Sequence, residues 1–248
     1  MWTSIKECYR ESARFARAWP LLFALPLAAE LAQHVVEYRI GMFASVEAMI
    51  ALEGDSSRMT FGVVKVVTLL VYTYWVNRWL AYGRDGRRRV LGDGRSAFLF
   101  AWVVALGLVT GGLQLFGGAL LRPFGASEGI VLAVGLVFVS LTIVLDIYIT
   151  AWKVGAALGN GRLTIPVSFR IMRGNFWWSI GFYIAMILPL MIAHQLIGGI
   201  APLGRPDAIL WPILIFDSLL VAYLGTVLAA TGYLIARRAA ERKGASLT

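Results

Sequence analysis

The stretch from Leu163 to Gln195 limits what this chain can fold into more than any other. It reads LTIPVSFRIMRGNFWWSIGFYIAMILPLMIAHQ, so a short basic lead-in is followed by a Gly-Asn break, a tryptophan pair and an apolar run. The apolar run reaches the roughly 20 residues that a helix needs to cross a bilayer. The pattern predicts a surface helix, an aromatic anchor at the lipid headgroups and a membrane span.

The composition extends this prediction to the whole chain. Hydrophobic residues make up 59% of the sequence and charged residues only 15%, whereas soluble domains have about 45–50% and about 25%. We therefore expect an all-α, polytopic membrane protein with a single membrane domain over residues 1–248. The predicted spans cover about 19–36, 60–82, 97–121, 129–152, 176–198 and 208–236.

Residues 1–18 are expected to form an amphipathic helix. Aromatic and small apolar residues recur there at helical spacing, with charged residues on the other side. Such a helix either presents a solvated face or lies in the membrane interface, and we favour the interface because the segment leads directly into a span. The residues expected at the lipid interface are Arg10, Arg14, Arg17, Trp19, Arg170, Arg173, Trp177 and Trp178.

The net charge of +9 is distributed as membrane topology requires. Basic residues cluster at alternate span ends, so six spans with both termini in the cytoplasm place the excess of Lys and Arg inside. This indicates a multi-pass protein that attracts anionic inner-leaflet lipids. It argues against a nucleic-acid partner, because the charges form no continuous face. A protein partner or a second copy of the chain is left open.

The lead-in Ser168-Phe169-Arg170-Ile171-Met172-Arg173-Gly174-Asn175-Phe176-Trp177 resembles a signature of one group of bacterial inner-membrane proteins. That group is the multi-pass membrane domain attached to some glycerophosphodiester phosphodiesterases, with its stand-alone relatives. The resemblance implies about six spans after an amphipathic helix, and a scaffold or lipid-associated role. It does not extend to the hydrolase activity, because the metal-binding acids and histidines of the catalytic domain have no counterpart in this sequence.

The two ends of the chain share a pattern that is typical of internal repeats. Residues 5–10 (IKECYR) are similar to residues 165–170 (IPVSFR), and each segment leads through tryptophan into a span that contains Leu-Pro-Leu. Each span ends near a histidine and a glutamine, at His34 in one and His194 in the other. Repeated membrane proteins often place a site at the repeat interface, although apolar sequences also resemble one another by chance.

Ionisable residues inside spans are costly and are therefore the first candidates for function. The candidates for a polar cavity in the outer half of the membrane are Glu30, His34, Lys65, His194 and Asp217. Lys65 is expected to pair with Asp217 or with Glu30. Two interpretations stay open: a cavity that binds a lipid headgroup, a small solute or a proton, and buried ion pairs that fix the order of the helices.

No catalytic, metal or cofactor site is predicted. Cys8 is the only cysteine, so thiolates cannot build a zinc or iron–sulfur site. Residues 125–129 match G-x-S-x-G, but a hydrolase elbow needs a preceding strand, and a rhomboid-type protease would need a histidine on the sixth span, which has none. Ser127 is instead expected to cap a helix.

The sequence thus predicts a non-enzymatic membrane protein that acts as a scaffold or lipid-interacting component of a membrane assembly. The alternative is a small carrier or channel built around the polar residues of the outer half of the membrane.

Overall fold

The computed structural model describes residues 1–83, 86–121 and 127–248, and the regular elements within these ranges are all helices. The predicted basic loop at Arg84 and the connection at 122–126, with Gly125 of the G-x-S-x-G match, lie outside the described residues. The helices are α1 (Trp2–Ala18), α2 (Pro20–Arg39), α3 (Val46–Ala51), α4 (Ser56–Tyr82), α5 (Arg87–Leu91), α6 (Gly94–Leu121), α7 (Glu128–Tyr148), α8 (Thr150–Leu158), α9 (Ile165–Met172), α10 (Phe176–His194) and α11 (Asp207–Arg242).

The fold is that of an all-α polytopic membrane protein, as predicted. Among the described residues, five segments are long and apolar enough to cross a membrane: Ser56–Tyr82, Arg88–Gln114, Gly129–Tyr148, Phe176–Ile200 and Asp207–Arg242. A sixth is obtained if α1 and α2 are counted together, and these two helices are bent by 98° at Trp19. The bend separates the charged N-terminal helix from the apolar α2, which begins at Pro20, where a missing N–H costs little.

The first predicted span ended too early. It was expected to end near Val36, but α2 continues to Arg39 and Glu37 is buried on it. The helix tolerates this carboxylate because Gln33, His34 and Arg58 all contact it. Glu37 therefore lies inside the helix, where its charge is compensated by partners within the protein.

The fourth predicted span ended too late. It was expected to run to Trp152, but α7 ends at Tyr148 and α8 begins at Thr150. The hydroxyl of Ser168 on α9 accepts a hydrogen bond from the Trp152 N–H at 3.0 Å and donates one to the Tyr148 C=O at 2.7 Å. It takes the place of one backbone bond of a continuous helix, which is a recognised cause of helix breaks.

The chain forms two compact units. Unit 1 comprises Met1–Asp85 and Gly181–Thr231, and unit 2 comprises Gly86–Ile180 and Gly232–Thr248. In unit 1, α2 packs along α4, and α1 packs against both. The core of this region is a buried cluster of Phe15, Tyr72, Val76 and Ala229.

Helix α1 contributes a different stripe to unit 1 from the apolar face that its sequence indicated. Its buried residues are Cys8, Ser12 and Phe15, while Trp2 is exposed. The Cys8 Sγ lies 3.6 Å from the Thr231 hydroxyl, so a small polar pair accompanies the aromatic contact of Phe15 with Tyr72 at 5.7 Å. The basic residues Arg10, Arg14 and Arg17 are exposed.

In unit 2, α6, α7, α8 and α9 pack on one another. Rings of Phe169 and Phe176 both stack on Tyr148, with centroids 5.1 and 5.7 Å apart. Lys153 Nζ lies 2.7 Å from an Asp146 carboxylate oxygen on the surface. Ser127 accepts a hydrogen bond from the Ile130 N–H at 3.4 Å and so caps α7 as expected.

Candidate functional site

The structure brings the predicted polar residues together in unit 1. Glu30 and His34 lie one turn apart on α2, Lys65 lies on α4, and Asp217 lies on α11. His194 is the last residue of α10. The five side chains, from four helices, form one continuous polar network, which we call the His–carboxylate cluster.

Each charged member of the cluster has a close partner of opposite type. Lys65 Nζ lies 3.0 Å from Glu30 Oε2, so the structure selects Glu30 from the two partners that the sequence left open. His194 Nδ1 lies 2.9 Å from Asp217 Oδ1. His34 Nε2 lies 3.1 Å from Asp217 Oδ2, so one carboxylate links histidines from two helices.

His34 is the centre of the cluster because both of its ring nitrogens face carboxylates. Its Nε2 also lies 3.6 Å from Glu30 Oε1, and its Nδ1 lies 3.0 Å from Glu37 Oε2. These contacts follow from helical spacing, since residues three and four positions away share one face of α2. Glu37 is fixed in turn by Gln33 at 2.8 Å and by Arg58 at 3.0 Å.

A π-helical segment, Gln195–Ile200, follows His194 directly. It places Gly198 against Asp217 so closely that a Cβ atom at Gly198 would overlap the carboxylate. Only glycine therefore fits at this position without moving the backbone or the acid. Segments of π-helix are rare and occur frequently at functional sites.

The cluster has a buried centre and two partly exposed ends. Glu30 and Asp217 are 1% and 0% exposed, whereas the side chains of Lys65 and His194 are 20% and 19% exposed. Three carboxylates face only two permanent cations, Lys65 and Arg58. With both histidines neutral, the cluster thus carries one negative charge in excess, and an unpaired buried charge is costly.

Sequence reasoning missed three members of this site. Gln33 and Glu37 lie one turn or less from His34, and that spacing was a usable signal once α2 is extended past Val36. Arg58 reaches Glu37 from the first turn of α4, and no pattern in the sequence indicates this contact between two helices. A further cation, Arg78, is buried in unit 1 against the rings of Tyr74 and Tyr82.

No protein family, curated protein or solved structure matches this chain. The geometry of the molecule therefore carries the functional argument.

The residues expected at the lipid interface are mostly on the surface. On α9 and the turn that follows it, Arg170 and Arg173 are exposed. Trp177 is 82% exposed. Trp178 is partly covered, because the Arg238 guanidinium lies 4.3 Å from its ring centroid. On α1 and at the bend, the three arginines are exposed and Trp19 is half-buried.

Unit 2 contains a small groove of about 50 Å³. It is lined by Ile171, Arg173, Asn175, Ala239, Arg242 and Lys243. The groove thus gathers three cations, and no acidic residue is among its described lining residues. Arg242 is held in place because its Nη1 donates to the Gly174 C=O and to Asn175 Oδ1, each at 3.3 Å.

Proposed function

We propose that this integral membrane protein is non-enzymatic and binds anionic lipid headgroups as a scaffold or lipid-interacting component of a membrane assembly. The observation that carries the proposal is the groove of unit 2, in which Arg173, Arg242 and Lys243 converge. The exposed Trp177 follows the lining residue Asn175 by two positions in the sequence. We refer to it as the basic groove.

The chemistry of the basic groove fits a phosphate group. Guanidinium groups bind phosphate oxygens through paired hydrogen bonds. Arg242 is already oriented by one backbone acceptor, the Gly174 C=O, and one side-chain acceptor, Asn175 Oδ1. Tryptophan prefers the headgroup level of a bilayer. A cationic groove whose lining segment leads into an exposed tryptophan is therefore suited to a lipid headgroup.

Two sequence arguments support the same proposal. The predicted topology places the lead-in and the C-terminal basic residues on the cytoplasmic side, where anionic lipids attract cations by about 1 kcal/mol for each Lys or Arg near the surface. The resemblance to the membrane domain of glycerophosphodiester phosphodiesterases also implies a lipid-associated role.

The test is lipid retention after purification in mild detergent. Vesicles of phosphatidylglycerol mixed with phosphatidylcholine serve as the lipid source, and native mass spectrometry counts the lipids bound to each chain. The double variant R173Q/R242Q should lose most of its bound phosphatidylglycerol, whereas K153Q should not, because Lys153 pairs with Asp146 outside the groove. Equal retention by the double variant and the native protein would contradict the proposal.

A small carrier or channel is the second candidate, favoured by the His–carboxylate cluster. Its partly exposed ends at Lys65 and His194 give access to a buried centre. In proteoliposomes on a solid-supported membrane, a carrier should show charge movement in the native protein that K65A and D217A abolish in protein that still folds. Buried pairs that only fix the helices would give lower stability and no charge movement in the native protein.

A further inference from the structure

We propose that the His–carboxylate cluster binds one divalent transition-metal ion, of the Zn²⁺ or Mn²⁺ class, through Glu30, His34, His194 and Asp217. This site is independent of the lipid binding proposed for unit 2. The sequence predicted no metal site, because it contains a single cysteine and no short metal-binding motif. Here the ligands come from three helices, α2, α10 and α11, so most of them lie far apart in the sequence.

The distances between the donor atoms match those of a metal site. Metal–nitrogen and metal–oxygen bonds of about 2.0–2.2 Å put tetrahedral ligand atoms roughly 3.3–3.6 Å apart. His34 Nε2 lies 3.1 Å from Asp217 Oδ2 and 3.6 Å from Glu30 Oε1, and His194 Nδ1 lies 2.9 Å from Asp217 Oδ1. Donor atoms of Glu30, His194 and Asp217 all lie within 4.8 Å of one another. Adjustments of a few tenths of an ångström would admit an ion.

The surroundings of His34 provide an independent indication. A histidine that binds a metal through one ring nitrogen almost always donates the other N–H to a carboxylate or carbonyl, which fixes the tautomer. With Nε2 facing Glu30 and Asp217, His34 Nδ1 lies 3.0 Å from Glu37 Oε2. Glu37 is itself held by Gln33 and Arg58. A carboxylate is thus positioned to orient His34 as a ligand.

The charges of the cluster also fit a cation. Glu30 and Asp217 are almost completely buried, and their two negative charges would offset those of a divalent ion that two neutral imidazoles also bind. With Lys65 counted, the cluster would change from one negative charge in excess to one positive charge in excess. Glu37 is balanced by Arg58 at 3.0 Å. Lys65 Nζ lies 3.0 Å from Glu30 Oε2 and donates a hydrogen bond to Oε1 at 3.3 Å, and Oε1 also lies 3.6 Å from His34 Nε2. An ion at the centre would take the place of the lysine's hydrogen bond to Oε1.

The donor types define the class of ion. Imidazole favours zinc, iron and copper, and carboxylate favours harder ions such as manganese. Two imidazoles with two carboxylates therefore select a divalent first-row transition ion over Ca²⁺ or Mg²⁺. The single thiol plays no part, since Cys8 lies against Thr231 and the Val227 C=O.

The experiment uses the full-length protein in mild detergent. Metal content is measured by inductively coupled plasma mass spectrometry, and chelator-treated protein is then titrated with Co²⁺ while its visible ligand-field absorption is recorded. We expect a single Co²⁺ per chain, displaced by Zn²⁺ and not by Ca²⁺. Weak, non-stoichiometric Co²⁺ binding that Ca²⁺ or salt displaces would indicate an adventitious ion only and would overturn the proposal.

Substitutions test the ligand set. H194Q should lower Co²⁺ affinity at least about 100-fold, and E37Q about 10–100-fold, the usual range for groups that orient ligands. D146N is the matched control, because Asp146 is an exposed acid of unit 2, and it should not change affinity. His194 lies at a partly exposed end of the cluster, so H194Q is the variant most compatible with folding.

Melting temperatures in the presence of chelator separate a loss of ligands from a loss of fold. If H194Q melts as the native protein does without metal and still binds Co²⁺ with native affinity, the site is wrong. If H194Q fails to fold, E37Q and D217N decide by the same two measurements. Neither outcome affects the basic groove, which is assayed by lipid retention.

Discussion

The two units bury polar groups of different kinds. Among the described residues, every buried acidic, basic or histidine side chain belongs to unit 1. These residues are Glu30, His34, Glu37, Arg78 and Asp217. The buried polar side chains of unit 2 are uncharged, namely Ser96, Thr150, Ser168, Asn175 and Ser179.

The buried polar residues have different structural roles in the two units. A buried charge is stable only with partners and hydrogen bonds, so the charges of unit 1 require several helices to keep a defined arrangement. In unit 2, short hydroxyl and amide side chains satisfy nearby groups: Ser168 bridges the break between α7 and α8, and Asn175 contacts Ser179. The cations that line the groove of unit 2 stay exposed and are available to a ligand.

The strongest test of this contrast removes the shared acid of unit 1. D217A deprives both His34 and His194 of their partner and should cost about 3–5 kcal/mol of unfolding free energy, as expected when one side of a buried pair is lost. Unfolding by SDS titration in mixed micelles, with chelator present, measures the change. A loss below about 1 kcal/mol would mean that the cluster does not hold unit 1 together.

A substitution of intermediate effect tests the close approach of the π-helical segment. G198A introduces a Cβ that overlaps the Asp217 carboxylate and should cost about 1–3 kcal/mol. G199A is the matched control, because its Cβ would meet only Gln195 Oε1 at 3.7 Å. The same SDS titration compares the two variants, and equal stability would show that Asp217 moves away without cost.

In unit 2, the corresponding test removes the hydroxyl that bridges the helix break. S168A leaves the Trp152 N–H and the Tyr148 C=O without their side-chain partner and should cost about 1–3 kcal/mol. S140A is the control, since the exposed Ser140 hydroxyl donates only to the Leu136 C=O of its own helix. Hydrogen exchange at Trp152 should also increase in S168A; unchanged exchange there would argue against the bridging role.

The smallest effect is expected for an exposed pair of unit 2. D146A removes the partner of Lys153, and because both side chains are on the surface, the change should be at most about 1 kcal/mol. The melting temperature in detergent should stay within a few degrees of the native value. A loss as large as that of D217A would remove the contrast between the units.

The sequence predicted the helical membrane class and the approximate positions of the spans because long apolar runs leave few other structures. It also selected Glu30, His34, Lys65, His194 and Asp217, since ionisable groups in apolar runs are rare. The pairing of Lys65 could not be decided, because helical periodicity gives a residue's face but not the neighbour it meets.

Other features depended on contacts that are distant in the sequence. The end of α7 is set by Ser168, twenty residues beyond Tyr148. The residues around Ile149 include no glycine or proline that would predict a break there. The predicted first span stopped before Glu37, and the burial of Glu37 depends on Arg58, which lies on another helix. The buried residues of α1 likewise differ from the apolar face that the sequence indicated, since Phe15 packs on Tyr72 of α4.

The π-helical segment means that the length of the chain after His194 is as important as its residues. Its wide turn is closed by the Ala201 N–H donating to the Leu196 C=O, five positions earlier, where an ordinary turn uses four. Deleting a single residue from this segment would let it rewind as a regular helix, without the wide turn that places Gly198 against the Asp217 carboxylate. Gly198 would then lose this contact although neither Gly198 nor Asp217 had been changed.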